Sequence, residues 1–238
     1  PDRVLSILAR ADPGWVLAGL LSSTLGNLAS AWRWRDLAAW LGHPAPLSWI
    51  VPVYFRGVAA NVVLPGAVVG GDMLRAWGLH RRGMPVLEAS VSVVLDRVSG
   101  LWGLLILGVL ALGAGLWWAP ATGWLPAVQR LGVGSAEGLA LLAVGAAAGM
   151  AVLPYAALRV TPRWLAGWAL LQRPALRWWH RLATHQPGQH CARQIAGSLV
   201  VQTASVTALY CGARAIGAPL PWEALAVAAV PIFVLATV

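Results

Sequence analysis

The residues best suited to chemistry fall in two short clusters. The first, NVVLPGAVVGGDMLRAW, runs from Asn61 to Trp77. Gly70 and Gly71 permit backbone angles and close approaches that other residues forbid. Asp72 follows them at a place where a helix can start, and Arg75 lies three positions on. One reading makes Asp72 the cap of that helix and the i,i+3 partner of Arg75. The other makes the glycines a turn with exposed backbone N–H groups, which join Arg75 and Arg56 in a cradle for a lipid phosphate. Helix starts and arginine forks both suit phosphate. The two readings are compatible, because a capping aspartate also fixes where Arg75 points.

The second cluster is EASVSVVLDRVSGL, Glu88 to Leu101. Glu88, Asp96 and Arg97 sit at or just inside the end of a long apolar helix. Ionisable groups in such places are costly and usually face a bundle interior or a cavity. Either Asp96 and Arg97 form an interfacial pair that marks the helix end, or Asp96 holds Arg75 or Arg56 until a phosphate displaces it. Ser92 and Gly100 lie one turn before and after Asp96, on the same helical face.

Other features carry less. Ser23, Asn27 and Ser30 share one helical face, as do Ser198, Gln202 and Ser205. Interhelical hydrogen bonding accounts for both stripes, with a polar lining for a head group as the alternative. Gly145 and Gly149 read as a helix-packing pair. His180, His185 and His190 turn about 140° apart on a helix, which is wrong for metal ligands on one face, so no metal site is expected. Cys191 and Cys211 show no metal spacing, and Cys211 lies in an apolar run, so no disulfide framework is indicated. There is no Gly-x-Ser-x-Gly elbow, zinc-protease motif or nucleotide-binding glycine loop.

The elements that must position these clusters are transmembrane helices. The chain is 59% hydrophobic and 11% charged, against about 25% charged in soluble domains. That excludes an ordinary soluble enzyme, and disorder requires the opposite composition. Four uncharged runs of 18 to 21 residues, 14–31, 98–118, 138–158 and 195–213, are each long enough to cross about 30 Å of hydrocarbon. A fifth covers 224–238. The segment 47–69 is apolar but interrupted by Pro52, Arg56, Gly57, Asn61, Pro65 and Gly66, and reads as a re-entrant hairpin or broken helix, tolerated only against protein or a water-filled cavity. Both ends of the chain read as cut, so a longer natural protein is expected.

All 17 basic residues are arginine, and the net charge is +9. With 47–69 re-entrant, twelve arginines, those of residues 33–46, 72–97 and the basic loop 159–194, share one side. Arg3, Arg10, Arg130 and Arg214 lie opposite, and Arg56 lies inside. This bias makes the twelve-arginine side cytoplasmic and places Trp117, Trp118 and Trp124 near the outer interface. Trp164, Trp168, Trp178 and Trp179 among the arginines of 159–194 suit a segment lying on an anionic membrane surface.

The order ASAWRWRDL, YFRGVAANVVLPGAVVGGDMLRAWGL, EASVSVVLDRVSGL and, later, GSLVVQTASVTALYCGARAIGAPLPWEAL resembles the lysylphosphatidylglycerol synthase transmembrane-region family, also called the flippase-like integral membrane family. The resemblance covers nearly the whole chain. It singles out Asn61, Pro65, Gly66, Gly70, Gly71, Asp72, Arg75, Asp96, Arg97 and Gly100. Family members usually begin with one more helix and continue into a glycine-rich block that ends in an Arg-Glu pair, and this chain has neither. The resemblance implies movement of aminoacylated phospholipids or related polar lipids between leaflets. Some members carry a soluble aminoacyl-transferase domain, which is not visible here.

The expectation is thus an all-α, single flippase-like transmembrane domain over 1–238 in the bacterial inner membrane, binding and translocating a phosphate-bearing lipid. Arg56, Arg75 and Arg97 would hold the head group. Asn61, Gly70 and Gly71 complete the site, while Asp72 and Asp96 position the arginines or meet a cationic aminoacyl ester. Transport would run downhill or couple to protons through Asp96 or Glu88. No catalytic residue and no cofactor is expected. The partners are an anionic or aminoacylated phospholipid and the membrane, with a lipid-modifying enzyme or glycosyltransferase and a second copy of the chain as candidates, and no nucleic acid. The alternatives are a non-transporting anchor or accessory subunit of a lipid or polysaccharide biosynthetic enzyme, and an intramembrane transferase with Asp72 or Asp96 as base.

Overall fold

The computed structural model describes residues 9–63, 67–118, 135–165, 177–218 and 220–236. Among these the fold is all-helical. Eight helices follow in order: α1 (Pro13–Trp40), α2 (Leu47–Val63), α3 (Ala67–Arg81), α4 (Val86–Trp118), α5 (Ala136–Leu165), α6 (Arg177–Thr184), α7 (Pro187–Ala215) and α8 (Trp222–Ala236).

Their ends follow from local chemistry. Asp12 Oδ1 accepts from the Gly14 and Trp15 N–H groups at 2.7 and 3.3 Å, capping α1 just ahead of Pro13, a residue whose fixed φ suits the first helical position. At the other end, Gly42 (φ 89°) adopts the left-handed conformation that closes a helix, with the His43 N–H donating to the Ala38 carbonyl at 2.8 Å. Pro52 interrupts α2 only in its second turn, so the helix continues through it.

The helices run well past the uncharged stretches. α1 continues from residue 31 through Arg33, Arg35 and Asp36 to Trp40, and α4 begins at Val86 rather than Val98. Charged residues are compatible with helix, so the backbone continues through Arg33 and Asp36, which pair within the protein, and through the exposed Arg35. The expected loop 159–194 contains the end of α5, all of α6 and the start of α7, while 166–176 lies outside the described residues. So do Pro65, Gly66, Trp124 and Trp168.

Three helices, Val86–Trp117, Glu137–Val160 and Pro187–Ala215, are long and apolar enough to cross a membrane. Leu47–Val63 and Trp222–Phe233 are apolar but shorter. The first expected span, 14–31, is helical but is not one of the three. α4, at 33 residues, extends about 50 Å, well beyond the hydrocarbon thickness, which leaves its charged N-terminal portion free for other work.

The chain divides into two compact units. Unit 1 comprises Pro1–Gly26, Gly103–Met150 and Leu199–Val238; unit 2 comprises Asn27–Trp102 and Ala151–Ser198. α1, α4, α5 and α7 each contribute a segment to both. Unit 1 is centred on Leu104, Leu107, Ala111, Val206, Ala226 and Ala229. Unit 2 is centred on Trp34, Leu37, Leu41, Ile50, Leu79 and Met84.

Candidate functional site

Inside unit 2, α2 and α3 pack side by side at a contact that only glycine allows. A Cβ on Gly71 would overlap the Gly57 carbonyl oxygen and the Asn61 side chain. The Asn61 amide oxygen accepts from the Gly71 N–H at 2.9 Å. Gly70 and Gly71 are helical, not a turn, and the Gly71 N–H is taken up by Asn61. Asp72 likewise lies inside α3, which begins at Ala67, so it is not the cap of that helix.

This close approach sets Arg75 against α2, where a Cβ on Gly57 would meet the Arg75 Cγ at 3.0 Å. The Arg75 guanidinium lies 4.5 Å from the ring centroids of both Trp34 and Tyr54, held by cation–π attraction on a side chain only 6% exposed. Its Nη2 donates to Asp96 Oδ2 at 2.6 Å. Its Nη1 lies 3.8 Å from Asp72 Oδ1, the i,i+3 pair expected from spacing. The Asp72 carboxylate also pairs with Arg97.

Asp96 is the hub. Its Oδ1 accepts from Arg33 Nε and Nη2 at 3.1 and 2.7 Å, and its backbone carbonyl accepts from the same Nη2 at 2.9 Å. Arg33 Nη1 donates to Ser198 Oγ at 2.6 Å. Gly100 and Gly197 make room for this arginine: a Cβ at Gly100 would lie 3.3 Å from Arg33 Nη2, and one at Gly197 would lie 3.5 Å from its Cγ. One turn before Asp96, Ser92 Oγ accepts from Trp34 Nε1 at 3.3 Å. One carboxylate thus joins α1, α3 and α4, and α7 joins through Ser198.

The structure departs from the sequence reading at two arginines. Arg56 is exposed and pairs with neither Asp72 nor Asp96. It lines a separate cleft with Trp49, Trp77, Arg81 and Arg82, because the face of α2 that meets Arg75 is the one carrying Gly57. Arg33, counted by charge among the cytoplasmic-side arginines, is a buried partner of Asp96, 4% exposed. The polar stripe Ser23, Asn27, Ser30 held the missed signal, since Arg33 is three residues past Ser30 and extends that face. Asn61, Gly70, Gly71, Asp72, Arg75, Asp96 and Arg97 do come together in unit 2.

Three arginines and two aspartates leave this cluster one positive charge in excess. Arg33, Arg75 and Asp96 are nearly fully enclosed, whereas the Asp72 and Arg97 side chains are 20% and 29% exposed. The cluster therefore has a closed end and an accessible end. Arg75 Nε is buried and has no hydrogen-bond partner among the described residues, so the arginine fork retains an unused donor there. This is chemistry for holding an oxyanion.

Glu88 sits apart from the cluster, paired with His43 Nε2 at 3.0 Å and Arg181 Nη1 at 3.2 Å. Arg181 Nη1 also donates to the Leu41 carbonyl at 2.7 Å, satisfying the C-terminal end of α1. His190 pairs with Asp36 at 3.1 Å and stacks on Trp40. Cys191 and Cys211 are both free and buried.

Glycosyltransferase AglD of Haloferax volcanii is 28% identical over 120 residues, covering 48% of this chain and 19% of that protein. The matched stretch thus covers less than a fifth of that relative's length. No solved structure matches it. The sequence profile of the lysylphosphatidylglycerol synthase transmembrane region matches residues 1–238, and with its membrane-length helices this chain is a multi-pass integral membrane member of that family.

Proposed function

We propose that unit 2 binds the phosphate-bearing head group of a lipid, aminoacylated or not, and that the protein passes such lipids between leaflets of the bacterial inner membrane. The carrying observation is the enclosed Arg33–Asp96–Arg75–Asp72–Arg97 cluster with its excess positive charge. Buried ion pairs are poor stabilisers compared with apolar packing, and ionisable groups within membrane proteins usually mark a pathway or ligand site. A phosphate arriving at the Asp72–Arg97 end would compete with a carboxylate for the arginine forks, and Asp72 would meet the ammonium of an aminoacyl ester.

The test is a leaflet-accessibility assay in liposomes with fluorescent lipids. Arg75→Lys keeps the charge and loses the bidentate fork. It should leave folding intact and lower transport by about tenfold or more, the worth of a lost charged hydrogen bond. Wild-type transport by Arg75→Lys at normal expression removes the phosphate from this place.

The same reading keeps residues 33–46 and 72–88 on the cytoplasmic side. Single cysteines replacing Pro44 and Arg82, in a background without Cys191 and Cys211, should label from the same side. Labelling from opposite sides would exclude a re-entrant α2–α3 pair.

The AglD match favours a second reading, in which the chain is the membrane part of a lipid-linked glycosyl-transfer system and moves nothing itself. Under that reading wild-type protein gives no leaflet exchange, whereas its removal abolishes transfer by a glycosyltransferase partner.

A further inference from the structure

The cleft that Arg56 lines has no part in the enclosed cluster and no counter-charge of its own. It lies within unit 2, along the groove between α2 and α3, and has a volume of about 340 Å³. This is within the range of ligand-binding clefts. α2 contributes Trp49 and Arg56, two turns apart, and α3 contributes Trp77 and Arg81, one turn apart. Each pair stands on one helical face. Arg82, the residue after α3, completes the basic wall. Gly78 makes room for the Trp49 ring, since a Cβ there would lie 3.2 Å from Val53 Cγ1 and 3.5 Å from Trp49 Cη2.

Two of the three arginines are seated on aromatic rings. The Arg82 guanidinium lies 4.8 Å from the Trp49 ring centroid, and that of Arg81 lies 5.1 Å from the Trp77 centroid, held by cation–π attraction. No ion pair among the described residues includes Arg56, Arg81 or Arg82. In the same unit Arg33, Arg75, Arg97, Arg181 and Arg193 each meet a carboxylate. The helix dipole accounts for cations at the end of α3. It does not bring Arg56, from the middle of α2, into the same cleft. Three like charges on one cleft raise its potential and draw an anion.

We infer that this cleft binds a phosphate group with more than one negative charge, a phosphomonoester or a diphosphate. Guanidinium forks match phosphate oxygens in bidentate pairs. Three of them exceed what the single charge of a phosphodiester neutralises. Trp49 and Trp77 flank the organic part to which the phosphate is attached. A lipid such as phosphatidic acid and a soluble diphosphate present the same chemistry. The inference goes beyond the enclosed cluster and does not depend on it.

The full chain in phosphatidylcholine nanodiscs is treated with phenylglyoxal, and arginine modification is mapped by peptide mass spectrometry. One arm adds inorganic diphosphate. The other dopes the nanodisc with phosphatidic acid or, for comparison, phosphatidylglycerol. In at least one arm Arg56, Arg81 and Arg82 should be protected together by about tenfold, with the exposed Arg159 and Arg214 unaffected. Protection by diphosphate alone identifies a soluble ligand, and by phosphatidic acid alone a lipid. Protection in both arms means that the phosphate itself is read. Arg82→Gln, at an exposed position, should keep the fold. It should raise the concentration that protects Arg56 and Arg81 about tenfold, the worth of one charged hydrogen bond. Protection should persist in Arg75→Lys whether or not transport fails, which separates this inference from the reading of the enclosed cluster. Loss of protection in Arg75→Lys assigns the effect to that cluster and overturns the inference. So does an absence of protection in both arms, or protection unchanged in Arg82→Gln. Equal protection by phosphatidylglycerol, or equal protection of Arg159 and Arg214, reduces the effect to general surface attraction and overturns it too.

Discussion

Units 1 and 2 share four helices, yet they treat polar groups in opposite ways. Among the described residues every ion pair, from Arg33–Asp96 to Arg193–Asp36, lies in unit 2. The buried polar and charged side chains, Ser30, Arg33, Arg75, Glu88, Ser92, Asp96, Gln194 and Ser198, lie there too. Unit 1 ties its helices with single neutral bonds, such as Ser22 Oγ to the Ala204 carbonyl at 2.8 Å and Trp222 Nε1 to Thr207 Oγ1 at 3.2 Å. It also uses small-residue contacts such as Gly108 against Val230. Among its described residues unit 1 has no buried charged side chain.

The strongest way to break this contrast is at its hub. Asp96→Asn leaves Arg33 and Arg75 enclosed without a counter-charge and should cost about 3–5 kcal/mol, seen as lost folded yield and a lower melting temperature in detergent. Replacing Arg33, Arg75 and Asp96 together by Met, Met and Leu makes unit 2 resemble unit 1. That triple variant should recover most of the folded yield lost in Asp96→Asn while abolishing lipid transport. If it folds no better than Asp96→Asn, the charges are structural and the contrast loses its meaning.

A smaller effect separates two glycines. Gly71→Ala forces α2 and α3 apart and should destabilise by about 1–3 kcal/mol. Gly145→Ala, in unit 1, meets nothing within 4 Å and should stabilise by about 0.5–1 kcal/mol through helix entropy. Equal melting temperatures for the two would contradict the close α2–α3 contact. Among the described residues, nothing lies within 4 Å of a Cβ built at Gly145 or Gly149, so no described neighbour packs closely on this pair. The smallest effect is expected at the rim: Arg193→Ala removes a half-exposed partner of Asp36 at 3.5 Å and should change stability by no more than about 1 kcal/mol. A larger loss would mean that unit 2's outer pairs matter as much as its enclosed ones.

Much of this site was readable in the sequence because its partners are local or share a face. Asp72 and Arg75 are one turn apart, and Ser92, Asp96 and Gly100 recur at helical spacing. Arg33 was not readable, because a basic residue at the end of an apolar run carries the same local pattern whether it faces lipid head groups or a carboxylate 63 positions away. Arg56 misled for the converse reason: an arginine inside an apolar run need not be enclosed if its face of the helix is exposed. Helix ends were missed because a run of uncharged residues marks what can lie in hydrocarbon, whereas charged residues continue a helix as well as apolar ones do. The Gly70–Gly71 pair was ambiguous because glycine serves both a turn and a close helix contact, and only the position of Gly57 decides between them.

The hub also imposes an order in time. Arg33 leaves the ribosome 63 residues before Asp96, which at about 5–20 residues per second is roughly 3–13 seconds. Ser198, 165 residues downstream of Arg33, arrives later still. Through that interval the nascent chain carries a cation whose permanent partners have not yet been made. Assembly of unit 2 is therefore gated by synthesis of its C-terminal half. A ribosome stalled between α1 and α4 should present Arg33 to whatever insertion machinery or anionic lipid can shelter it.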